Sequence, residues 1–112
     1  MSDKAKLKRL VEVSTLILDT KLLALETVAR ARQHSLDRLA EINRPSNATN
    51  LSLVAAAEIA MRYELWADER RSEINTVLAR QTAEWEEARQ EAARAFGRNQ
   101  VLGKLRDRQS PV

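Results

Sequence analysis

Few residues in this chain of 112 are of types that make or break covalent bonds. His34 is the single histidine, Asp37 is its nearest acid at i+3, and cysteine is absent, so a metal site would have to rest on carboxylates. A histidine on a helix surface is the plainer reading. Ser14, Ser35 and Ser72 fall inside helix-forming stretches with no imidazole paired to them, which leaves nucleophilic catalysis without a centre. Glu69 and Glu73 share a helix face, as a general acid and base would, but two such carboxylates usually form a solvated face. The stretch from Gly97 to Gly103 has no Gly-Lys-Ser/Thr following a strand and so is not a phosphate loop. No catalytic residue, metal or cofactor is expected, and the chain reads as a non-enzyme.

The remaining chemistry is that of recognition. The net charge is only +3, but its distribution is uneven. Lys4, Lys6, Lys8 and Arg9 face one acid, Asp3, at the start of the chain, and Arg94, Arg98, Lys104, Arg106 and Arg108 face Asp107 near its end. Such residues can contact phosphates or acidic protein surfaces. Phe96 is the one aromatic among them, so nucleic acid is not expected as a partner. Tyr63, Trp66 and Arg70, with Ile59, form a face about 80° from Trp85 on an ideal helix. That face either anchors a partner or wraps around a neighbouring helix. Phe96 and Leu102, with Ala95, Val101 and Leu105, make a further apolar stripe. The candidate partner-binding residues are thus Tyr63, Trp66, Arg70, Arg94, Phe96, Arg98, Leu102 and Lys104.

Long helices must carry them. Charged residues make up 31% of the chain, aromatics 4%, and Gly and Pro number two each, a profile that favours a coiled coil over a packed globule. Val11, Thr15, Leu18, Leu22, Leu25, Ala29, Arg32, Leu36 and Leu39 recur in steps of three and four, with Leu7, Leu10, Ile17 and Val28 widening the stripe. A second seam runs through Leu53, Ala57, Ala60, Ala67, Ile74, Leu78, Trp85, Ala88, Ala92 and Ala95, interrupted by Glu64, Arg71 and Gln81. Pro45 ends the first segment, and Ser46, Asn47, Thr49 and Asn50 can accept helix-entry hydrogen bonds. The expected fold is all-α: an antiparallel two-helix coiled-coil hairpin with a longer second helix. Its parts are helix 1 over about 4–43, a turn at 44–50, helix 2 over about 51–106 and a tail at 107–112.

No apolar run approaches the roughly 20 residues of a membrane span, and the N-terminal stretch lacks a secretory pattern. A cytoplasmic location is expected, and the sequon Asn47-Ala48-Thr49 is read as chance. If Ile42 and Leu51 flank a tight turn, positions summing to about 94 face each other. Lys8 and Arg9 then lie near Glu86 and Glu84, with Lys4 and Lys6 near Glu91 and Glu87. This register leaves residues 92–107 as a basic, uncovered overhang, available to a partner or to a second copy of the chain.

In these features the chain resembles the flagellar export protein FliJ family, related to the stalk proteins of type III secretion. The resemblance rests on the Leu-rich first helix, the polar turn, Trp66-Ala67-Asp68-Glu69-Arg70-Arg71, and Ala92-Ala93-Arg94-Ala95-Phe96-Gly97-Arg98-Asn99-Gln100-Val101-Leu102. It implies a two-helix antiparallel stalk that docks onto the export ATPase ring and the export gate, contacts export chaperones, and lies peripherally at a membrane-embedded apparatus. The chain is shorter than typical members, mainly in its first helix and turn.

Overall fold

A computed structural model describes residues 2–44 and 52–109. Helix α1 spans Asp3–Ile42 and helix α2 spans Leu53–Gln109. The protein is an all-α helical hairpin whose second helix, at 57 residues, is longer than the first, at 40. The turn expected around Pro45, the sequon and the final residues 110–112 lie outside the described residues. Residues 107–109, expected in a tail, continue α2.

Each helix begins on a serine. The Ser2 hydroxyl accepts the Ala5 amide at 3.1 Å and the Ser52 hydroxyl accepts that of Ala55 at 3.3 Å, filling donor positions left open in a first turn. Asp3 in the first turn of α1 and Arg106 and Arg108 in the last turn of α2 complement the helix dipoles. At the end of α1 the Arg44 amide bonds back to the Glu41 carbonyl at 3.2 Å, tightening the last turn ahead of Pro45, which disfavours helical angles at Arg44.

The least exposed positions of α1 are spaced four and three residues apart throughout: Leu7, Val11, Ser14, Leu18, Lys21, Leu25, Val28, Arg32, Ser35, Leu39 and Ile42. Those of α2 follow the same rhythm: Ala67, Arg71, Ile74, Leu78, Gln81, Trp85, Ala88, Ala92, Ala95, Asn99 and Leu102. Alternating four- and three-residue steps keep one narrow stripe toward a facing helix. The expected seams are corrected in detail. Leu22 and Thr15 are exposed, as are Leu53, Ala57 and Ala60, whereas Ser14, Ser35 and Asn99 occupy seam positions.

Two compact units are distinguishable, Met1–Arg30 with Ala83–Val112, and Ala31–Thr82. In the first, Asn99 Nδ2 donates to Ser14 Oγ and Thr15 Oγ1 at 3.2 and 3.0 Å, and Lys21 Nζ donates to Glu91 Oε2 at 2.9 Å. In the second, Arg32 Nε donates to Thr82 Oγ1 at 3.1 Å, Ser35 Oγ to Gln81 Oε1 at 2.6 Å, and Arg71 Nε to Asn43 Oδ1 at 2.9 Å. Ile42, Ala67 and Ile74 form its buried cluster, against which Leu39 and Tyr63 pack.

Within each unit the side-chain to side-chain pairs between the helices run in opposite directions, and their positions sum to between 112 and 116. The expected register, near 94, is therefore wrong by about 20 residues, a slide of about 30 Å at the helical rise. Glu91 pairs with Lys21, not with Lys4 or Lys6. The expected register rested on a tight turn between Ile42 and Leu51 with exposed charge runs in support, and exposed pairs contribute only tenths of a kcal/mol. The observed one instead satisfies every polar side chain that the narrow seam covers; among the described residues no buried side-chain polar atom lacks a hydrogen-bond partner.

Candidate functional site

Because the register differs, the expected overhang is lost. Residues 92–107 are not an overhang: Ala92 and Ala95 are buried, Leu102 is half-buried, and Asn99 is bonded to Ser14 and Thr15 of α1. The Tyr63 hydroxyl donates to the carbonyl of Ile42, the last residue of α1, at 2.9 Å, and the N-terminal Leu53 is 90% exposed.

Tyr63, Trp66 and Arg70 come together around that end of α1. With Arg38, Glu41 and Ile42 they line a shallow concavity. The Tyr63 and Trp66 rings stand 5.6 Å apart, tilted by 41°, within the range of favourable aromatic pairing. Tyr63 is fixed by its hydrogen bond and by the buried cluster, whereas Trp66 is 49% exposed. Arg70 is tied to Glu73 at 3.1 Å. The two expected roles of this face are thus divided: Tyr63 wraps onto α1, and Trp66 remains open.

The remaining candidates do not form one stripe. Arg94 and Arg98 lie on one flank of α2 with Gly97, Val101 and Leu102. Phe96, 52% exposed, is absent from that lining, and Lys104 is exposed without joining it. A helical step of 100° per residue separates Phe96 from Arg94 and Arg98 by 200°, which is why they part.

What the sequence reading missed is the contribution of α1 to this flank. Leu10, Val13, Ser14 and Ile17 face Ala95, Arg98 and Leu102 across a groove. Leu10 and Val13 continue it toward Lys6 and Arg9, and Arg98 and Leu102 continue it toward Arg94, Gly97 and Val101. Leu10 and Ile17 are visible in the sequence as residues that widen the α1 stripe, and the basic residues at both chain ends were noted. Only the register brings them together.

The electrostatics of the groove are one-signed. Lys6, Arg9, Arg94 and Arg98 are among its lining residues, and no acid is. None of the four makes an ion pair with a described residue. Nearby, the Lys21 ammonium holds the Glu91 carboxyl below its usual range by donating a hydrogen bond to it and by its charge; Arg94 adds a smaller effect.

Among the described residues no group of three His, Cys, Asp or Glu side chains is gathered, and no helix is long and apolar enough to cross a membrane. The arrangement is a helical hairpin whose flanks offer apolar surface and charge. Compared with protein families, curated proteins and solved structures, the chain finds no match in any of the three.

Proposed function

We propose that this chain is a non-enzymatic stalk or adaptor that works by presenting helix flanks to larger protein partners. One observation carries the reading: the hairpin leaves much of its large apolar surface outside its own seam, including Leu10, Val13, Ile17, Trp66 and Val101. Two helices alone cannot enclose these side chains, and contiguous exposed apolar surface on a folded protein marks interaction sites.

The machine we propose for it is a flagellar or type III protein export apparatus, with the export ATPase ring and the export gate as partners. Support comes from the resemblance in the Trp66–Arg71 and Ala92–Leu102 stretches, together with the antiparallel hairpin that this resemblance implies. Pull-down of the purified chain against the ATPase and the gate is the direct test, and absence of binding to both at micromolar concentration removes the export reading.

A second reading is a self-assembling coiled coil, with the outer face of α1 as its basis. Leu16 and Leu23, one heptad apart, are both about two-thirds exposed there. Sedimentation equilibrium separates the readings: a tight oligomer lost on Leu16→Glu/Leu23→Glu favours self-assembly, and a monomer favours heterologous docking.

A further inference from the structure

Among the surfaces outside the seam are the Trp66 concavity, the outer Leu16–Leu23 face and the basic groove. The groove joins a concave shape between two helices to charge of one sign. Its lining joins half-exposed aliphatic side chains from both helices to four cations. An apolar floor favours a ligand that carries apolar surface. A one-signed rim favours one of opposite charge.

Gly97 stands outside the groove floor. It is 200° of helical rotation from Ala95 and 140° from Leu102, so it lines the adjoining α2 surface with Arg94, Arg98 and Val101 and is not among the residues that meet Leu10, Val13 and Ile17.

We propose that the groove formed by Leu10, Val13, Ile17, Arg98 and Leu102 receives an amphipathic helix of a partner protein, with an apolar stripe flanked by Asp and Glu that meet the cations Lys6, Arg9, Arg94 and Arg98. This rests on the docking-hairpin reading and names the chemistry of one of its partners. A second copy of this chain, docked by the same surface, would set Arg94, Arg98, Lys6 and Arg9 against their own images, and like charges across an interface oppose association. Nucleic acid would find the charge but no aromatic lining residue on which to stack a base.

The test uses the whole chain and a synthetic helix-forming peptide of about 21 residues, three heptads, with Leu at the stripe positions and Glu on both flanks. Controls are the same peptide with Lys for Glu, and a single-stranded DNA of similar length. Fluorescence anisotropy should give a Kd of about 10 μM or tighter for the Glu peptide and at least tenfold weaker binding for both controls. Arg94→Glu/Arg98→Glu and Val13→Glu should each weaken the Glu peptide roughly tenfold or more, with helicity by circular dichroism unchanged; Arg98→Ala serves if the double variant unfolds. Equal affinity for the Lys peptide, tighter binding of DNA, or indifference to the variants overturns the proposal. So does a dimer that Val13→Glu disperses. Peptide binding without capture of the export ATPase or gate would sink the export reading alone, and capture without peptide binding would sink this one alone.

Discussion

Ser14 and Asn99 lie 85 residues apart in sequence, yet their side chains are in hydrogen-bond contact. The natural chain has no cysteine, so Ser14→Cys/Asn99→Cys introduces one unambiguous pair. Closing a loop of that length removes denatured-state entropy equivalent to about 4.6 kcal/mol, an upper figure that strain in the native state reduces. For a domain of this size the full gain corresponds to a rise in Tm of about 20 °C. The matched control is Lys8→Cys/Glu86→Cys, which a register near 94 would bring together. The observed pairing sets Lys8 opposite a position about 20 residues farther along α2, so those two cysteines stand ~30 Å apart, beyond the reach of a disulfide. Dilute oxidation followed by intact mass, non-reducing electrophoresis and thermal melts reads the outcome. An intramolecular bond in the Lys8/Glu86 pair, with none in the Ser14/Asn99 pair, would refute the register and everything derived from it about the groove.

Three further perturbations address the seam and the Trp66 end. Ile74→Ala removes a buried side chain from the cluster with Ile42 and Ala67 and should cost about 2–4 kcal/mol in urea unfolding, toward the lower end because a two-helix seam collapses easily. Tyr63→Phe withdraws the hydrogen bond to the Ile42 carbonyl and should cost about 1 kcal/mol, whereas Trp66→Ala should change stability little and partner capture more. The lowered Glu91 pKa gives a signed pH effect: its contribution is complete above the ordinary glutamate range and is lost as pH falls through the depressed folded-state value. Lys21→Met should therefore lower the urea midpoint at pH 7 relative to the natural chain, and the difference should shrink at pH 3.

The helices were legible in the sequence because their signals are local. Long Gly- and Pro-poor stretches, apolar residues in steps of three and four, and Pro45 as a stop suffice for an antiparallel hairpin. The register was not legible, because it depends on which residues the seam treats as interior. Apolar residues alone favour Thr15, Leu22 and Ala57 as seam members; the protein uses Ser14, Lys21 and Asn99 instead. Those choices become intelligible only in pairs. Ser14 is acceptable inside because Asn99 reaches it, and Ser35 because Gln81 does. An alanine-rich seam buries too little area to set the alignment by hydrophobic contact, so polar pairs whose desolvation must be matched decide it. The groove inherits that dependence. Leu10 and Arg98 were each visible as residue types, but their proximity follows from a slide that no single-helix pattern encodes.

The same thin seam explains why charge must accompany apolar contact in the groove. Leu10, Val13, Ile17 and Val101 are each roughly half exposed, so covering them yields about 1 kcal/mol apiece. Four such side chains give about 4 kcal/mol, the lower limit of what association costs in lost translational and rotational freedom. Apolar burial alone would leave a partner helix unbound. Cations at Lys6, Arg9, Arg94 and Arg98 shift that balance by raising the encounter rate of an acidic helix and by holding it in one orientation, and both effects weaken with ionic strength. Binding of the Glu-flanked peptide should accordingly weaken several-fold between 50 mM and 300 mM salt, chiefly through the association rate, as stopped-flow measurement would resolve. Salt-independent affinity would mean that the four cations stand outside the contact and that the groove is recognised by its apolar floor alone.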